Sequence, residues 1–127
     1  EDISSLSAIL LNDSYYNFLI QGLASIDDLN IVDAAHLIPL KAKAHIDLHK
    51  RKNAGRHVTS ADLKKHKKDV LHLISFVASG STILLDEEIK QDMRQFVNEI
   101  RDENLRVDQL GVGMTLEQAM LQLETLY

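Results

Sequence analysis

A chain of 127 residues, 45% apolar and 26% charged, has the size and composition of one globular domain with a core of its own. Three Phe, three Tyr, no Trp and only six Gly plus Pro favour helices over a β-sandwich, and zero Cys excludes disulfides and thiolate metal sites and fits a cytosolic protein. The formal net charge is −5; no apolar run approaches the ~18 residues of a membrane span, and the acidic start lacks the basic flank of a signal peptide. Because the chain opens at Glu1 and not at Met, we expect it to be a piece of a longer protein.

Ile3–Leu11, ISSLSAILL, is short and apolar with a β-branched start. Residues 1–11 therefore read as a candidate strand whose sheet partners would lie upstream of Glu1. Asn12 to Ser14 offer N-cap residues for a helix through Tyr15, Phe18, Leu19 and Leu23. Ile26–Val32 reads as a connection with a short extended piece at Leu29–Val32. Asp33 caps the next helix, Ala34 to Lys52, which Pro39 should kink near its start and which Gly55 should end in a left-handed cap. Arg56–Val58 is a turn. Thr59 and Asp62 then open a helix over 61–78 in the manner of a capping box, and Gly80-Ser81 ends it. Asp86-Glu87-Glu88 put acids where the helix dipole favours them, at the start of a helix over 86–103. Ile89, Met93, Phe96, Val97 and Ile100 recur along it at helical spacing. After a loop holding Gly111 and Gly113, Thr115 and Gln118 form a capping box for a last helix to about Leu126. The expected fold is mainly α, a compact bundle of about five helices over 12–127 in a single domain spanning 1–127.

Charge is unevenly spread. Leu37 to Val70 holds ten Lys/Arg against Asp47, Asp62 and Asp69, a local net of +7. The rest of the chain carries the other four basic residues and sixteen acidic ones, a net of −12. Opposite fields on two parts of one small domain point to an anionic partner facing the basic part, or else to a solvated helical hairpin kept soluble by its charges.

Side-chain spacing sharpens this. Leu37, Leu40, Ala44 and Leu48 form an apolar stripe, with Lys41 inside it and Lys43 on the far side. Lys41 must either snorkel to the edge or face an anion. On the next helix Asp62, His66 and Asp69 follow one another at i, i+4, i+7, a spacing that suits either a divalent metal or an internal hydrogen-bond chain. His45 and His49, also four apart, sit at the margin of their apolar face and read as exposed. Asp27-Asp28 are adjacent and would point to opposite faces of an extended chain, so they cannot share a metal. No nucleophile–base constellation, P-loop, Rossmann glycine motif or zinc-protease motif occurs.

The pattern LIPLKAKAHIDLHKR…DLKKHKKDVLHL resembles the downstream motif of the bacterial AbiEii/AbiGii-type nucleotidyltransferase toxin family, which belongs to the polymerase-β-like nucleotidyltransferases. On that resemblance Lys41 is the motif lysine, Ala44 the small residue, Arg51 the arginine and Lys68-Asp69 the basic–Asp pair. SSLSAILL looks like the last strand of that family's sheet. The turn Lys52–Ser60 is longer than in the family pattern, Lys68 stands where Arg is usual, and Pro39 interrupts the first helix. The resemblance implies a C-terminal helical portion of a protein that transfers a nucleoside monophosphate from an NTP, with Mg²⁺, onto RNA or protein. Lys41 and Asp69 would be its supporting active-site residues, and Arg51, Lys68 and Lys65 substrate contacts. The metal carboxylates would lie upstream, so Mg²⁺ and NTP are implied for the parent protein and no cofactor for this chain alone. Implied partners are the upstream nucleotidyltransferase domain, RNA or NTP and an antitoxin protein, but no membrane.

Two other readings remain open. A stand-alone nucleic-acid-binding module would set Lys50, Arg51, Lys52, Arg56, Lys64, Lys65, Lys67 and Lys68 on phosphates. A protein-interaction bundle, or a homodimer, would cover an apolar patch at Ile3–Leu11.

Overall fold

The computed structural model describes residues 8–27, 29–78, 80–103 and 115–127. These form α1 (Asp13–Gln21), a hairpin of β1 (Leu23–Ile26) and β2 (Leu29–Val32), α2 (Ala34–Asn53), α3 (Ser60–Ile74), α4 (Glu87–Glu103) and α5 (Leu116–Leu126). The chain is thus mainly helical, a bundle of five helices with one small antiparallel sheet among the described residues. No described helix is long and apolar enough to cross a membrane.

Local chemistry starts each helix. The Asn12 side chain accepts from the Ser14 and Tyr15 N–H groups at 2.9 and 3.3 Å, and Asp33 from His36 N–H at 2.8 Å. Thr59 Oγ1 accepts from Asp62 N–H at 3.1 Å and Asp86 from Ile89 N–H at 3.0 Å. Thr115 and Gln118 complete a reciprocal capping box at 3.1 and 2.8 Å. Each side chain satisfies an amide that the helix itself leaves open. The glycine loop expected ahead of Thr115 lies outside the described residues.

Three expectations change. Of the strand expected over Ile3–Leu11, only Ala8–Leu11 is described, and it is a helical turn: Leu11 N–H reaches Ala8 O at 3.2 Å and Asn12 N–H reaches Ile9 O at 3.0 Å. Ile9 buries its side chain in the helical core from there. Second, α1 stops at Gln21 and does not run through Leu23. A Cβ on Gly22 would lie 2.4 Å from the His36 side chain, so only glycine lets the chain pass there and turn into β1. The hairpin pairs Leu23 with Val32 and Ile26 with Leu29. Asp27 takes the turn with φ +51°, a conformation that Asp tolerates, so Asp27 is a hairpin corner and not extended chain, and Asp28 lies outside the described residues. Third, α3 ends at Ile74, and the bonds from Phe76 N–H to Leu73 O and Val77 N–H to Ile74 O (3.0 and 3.2 Å) wind the chain off in tighter turns.

α2 runs through Pro39 without a break. Proline has no N–H for the carbonyl of Ala35, one turn back. The Tyr127 hydroxyl donates to that carbonyl instead, so the end of the chain mends the gap in α2. Burial of Ile38, Pro39, Leu40, Ala42, Ala44, His45, Ile46 and Leu48 extends well beyond a single apolar stripe. The cause is position: α3 packs on one flank of α2, with α4 and α1 on the others. Phe96, Ile100, Met120 and Leu123 complete the core, each worth about 1.5–3 kcal/mol of burial.

Candidate functional site

The helical hairpin α2–α3 folds back at Asn53–Gly55, where Gly55 holds φ +84°. This return sets the first half of α2 beside the last half of α3. Lys41 Nζ lies 3.0 Å from Asp69 Oδ2, the side chains 15% and 35% exposed respectively. The lysine inside the apolar stripe therefore faces an anion. An ammonium carries three N–H donors, so Asp69 holds Lys41 in place without exhausting it. Asp69 in turn is open enough on one side to be reached from solvent.

His66, one turn before Asp69, is buried behind this pair. Burial lowers its pKa below the ordinary histidine value, Lys41 lowers it further, and Asp69 pulls weakly the other way. The Asp62, His66, Asp69 stripe is thus divided between a buried imidazole and a carboxylate held by Lys41. Among the described residues no group of three or more His, Asp or Glu is arranged to hold a metal ion.

The other residues singled out by the resemblance lie apart. Arg51 is ten residues beyond Lys41, about 15 Å along the axis of α2 at 1.5 Å per residue. It is half-buried, while Lys65 and Lys68 stand exposed on the outer face of α3. The structure brings Lys41 and Asp69 together and leaves Arg51, Lys65 and Lys68 as a flanking basic surface.

Two polar clusters were not foreseen. Lys43, expected on the far side of α2, faces α4: its Nζ lies 3.5 Å from Asp92 Oδ2 and 3.7 Å from Asp47 Oδ1. The hydroxyl of Tyr15 donates to the same Asp92 oxygen at 2.6 Å, and burial followed by the Asp92 carboxylate pushes its phenol pKa well up. His45, expected to be exposed, is fully buried. Its ring stands edge-on to Phe96 at 5.3 Å and lies 4.3 Å from the His49 ring at a tilt of 51°, with Nε2 3.8 Å from Glu99 Oε1. The apolar stripe of Leu37, Leu40, Ala44 and Leu48 misses both clusters because it supposes a single packing neighbour. Lys43 and His45 point at a second one, α4.

A groove of about 500 Å³ between α4 and α5 is lined by Met93, Val97 and Leu123, with Lys90, Arg94 and Glu124 at its edge. Arg101 forks across Glu117 and Glu124 at 2.8 and 2.9 Å and holds the Glu124 carboxyl below its usual range. Compared with family models, curated proteins and solved structures, the chain matches none.

Proposed function

We propose that this chain is the C-terminal helical portion of a nucleotidyltransferase-type protein, in which Lys41 contacts the phosphates of an NTP and Asp69 positions Lys41. One observation carries the reading. Lys41 and Asp69, taken from different helices by their likeness to the nucleotidyltransferase toxin motif, form an ion pair at 3.0 Å with its carboxylate side partly open. A cation held in a fixed position by a carboxylate stabilises charge that develops on a transferring or departing phosphate, and needs no reorganisation to do so. The metal-binding carboxylates and Mg²⁺ would come from the upstream nucleotidyltransferase domain, with RNA or protein as acceptor. An antitoxin is the partner such a protein would have.

The test is Mg²⁺-dependent transfer of labelled NMP by the full-length protein that carries this chain. Lys41→Ala and Asp69→Ala should each lower transfer at least a hundredfold while the helical circular dichroism is kept. The exchange Lys41→Asp with Asp69→Lys separates a structural pair from a working one, since it restores an ion pair with its cation on the wrong helix. It should recover thermal stability and not transfer. Full transfer by either single variant, or by the exchange, would sink the proposal.

A second reading is favoured by the exposure of Lys50, Lys52, Arg56 and Lys64 around the α2–α3 turn and of Lys65 and Lys68 along α3. On it the same surface binds nucleic acid through phosphates alone.

A further inference from the structure

The hairpin leaves one edge of its ladder unmade. Its register pairs Leu23 with Val32, Ala24 with Ile31, Ser25 with Asn30 and Ile26 with Leu29. One step beyond, Asp33 N–H reaches Gly22 O at 3.3 Å. Hydrogen-bonded and non-hydrogen-bonded positions alternate along an antiparallel pair. Counting from Gly22–Asp33, the bonded pairs are Ala24–Ile31 and Ile26–Leu29. The backbone N–H and C=O of Asn30 and Val32 therefore point away from β1. Among the described residues the sheet has no third strand, and no backbone hydrogen bond outside the ladder reaches these groups.

Nothing along this edge turns another strand away. β2 reads Leu-Asn-Ile-Val and has neither a charge nor a proline, the residues that protect strand edges. Leu29 and Ile31, two apart and so on one face of the hairpin, are 65% and 45% exposed. A two-stranded hairpin is marginal by itself and gains stability as strands are added.

We propose that β2 pairs with β2 of a second copy of this chain, antiparallel about a two-fold axis at Ile31, so that two molecules share one sheet. The outward groups select both occupant and register. With Ile31 opposite itself, Asn30 lies opposite Val32 of the second copy, and each such pair exchanges both of its hydrogen bonds. Each strand thus offers donors and acceptors at the spacing the other needs. Ile31 sits on the axis in a non-hydrogen-bonded pair, where facing side chains come closest and an apolar residue meets itself. A strand without charge meets its copy without repulsion. The two Asp33 residues, each opposite Leu29 of the other copy, stand about 13 Å apart along the strands, beyond the ~8 Å Debye length of physiological salt. A contact of this size makes a weak, concentration-dependent dimer. It involves neither Lys41 nor Asp69 and does not depend on the transferase reading.

The experiment is analytical ultracentrifugation of the 127-residue chain from about 10 μM to about 1 mM, with amide exchange followed by NMR at both ends of the range. A reversible monomer–dimer equilibrium is expected. The amides of Asn30 and Val32 should exchange at least fivefold more slowly in the concentrated sample. Asn30→Pro removes an outward N–H and no hairpin bond, and Ile31→Lys sets like charges across the axis. Each should weaken association at least tenfold with the helical circular dichroism kept. Ile31 is exposed, so its variant keeps the test decisive should Asn30→Pro disturb the hairpin. Ser25→Pro, the same change at an outward position of β1, should alter association less than twofold. Added salt should tighten the dimer, because Asp27 and Asp33, which flank the strand, carry one sign of charge. A chain that stays monomeric throughout overturns the proposal and leaves the edge to a strand of a different protein. Equal weakening by Ser25→Pro and Asn30→Pro overturns it too. So does a dimer that salt loosens, the mark of the basic α2–α3 surface resting on the acidic part of another copy.

Discussion

His66 reports on the Lys41–Asp69 pair from behind it. Its pKa is lowered first by burial and then by Lys41, with Lys65 adding a little and Asp69 and Asp62 opposing. In the unfolded chain a histidine titrates near ~6.5. Between that value and the lower folded one, the unfolded chain binds the extra proton and the folded chain does not. Stability due to neutral His66 is then complete above the unfolded value and falls as the pH drops through the window below it. Urea melts of the wild type from pH 7.5 downward should show this decline, and His66→Gln should flatten it. Lys41→Met removes the second cause, so the His66 pKa read from ring proton shifts should rise towards the ordinary value. If it stays put in Lys41→Met, the two side chains are not electrostatically coupled, and Lys41 is held elsewhere in solution. Little of this arrangement was legible beforehand. The place of Lys41 within an apolar stripe raised the question of an anion, and the resemblance supplied Asp69. Nothing in local spacing ties Tyr15 to Asp92, 77 residues on, or turns His45 inward to Phe96.

Elements are joined here by repairs that cross the chain. Pro39 leaves the Ala35 carbonyl without its helical donor, and the Tyr127 hydroxyl fills the place. Tyr127→Phe should therefore lose a hydrogen bond and leave a half-buried carbonyl without that donor, a cost of roughly 1–3 kcal/mol. In a Pro39→Ala background the backbone N–H gained at that position can serve the carbonyl, and the same tyrosine change should cost less. The difference between the two costs is a coupling energy, expected at about 0.5–3 kcal/mol for groups that share a partner. Additive effects in denaturant melts would show that Tyr127 serves only as packing. Helix starts were readable because each cap is written in three or four adjacent residues, as at Asp33, Thr59 and Thr115. Of the hairpin, β2 was legible as the extended piece at Leu29–Val32, and β1 was not. A strand of four residues is too short for a period to emerge, and Leu23 continues the helical spacing of Tyr15 and Leu19. What ends α1 is the fit of Gly22 against His36 from the next helix, and no local rule contains it. The single stripe assigned to α2 failed for a related reason, since a helix packed by three neighbours has no solvent side to mark the edge.

At the scale of the whole molecule the fold converts a charge gradient along the chain into one across its surface. Lys50, Lys52, Arg56 and Lys64 are exposed around the α2–α3 turn and Lys65 and Lys68 along the outer face of α3, while α4 and α5 carry much of the acid. Such a surface draws polyanions through long-range attraction and releases counterions when it binds them. If six of these side chains meet phosphates, affinity for a labelled twenty-nucleotide strand should fall roughly 300-fold between 50 and 200 mM salt. Residues 37–70 contain no Phe, Tyr or Trp, so this surface has no platform on which bases can stack. Binding should then depend steeply on salt and hardly on sequence, with uridine-rich and mixed strands alike within about twofold. Fluorescence anisotropy across a salt series measures both quantities at once. A steep slope with no sequence preference assigns the basic quarter to phosphate contact. A slope of one counterion or fewer would return these lysines to the solvated hairpin, where their charge serves solubility alone, and would leave Lys41 and Asp69 to be judged on transfer.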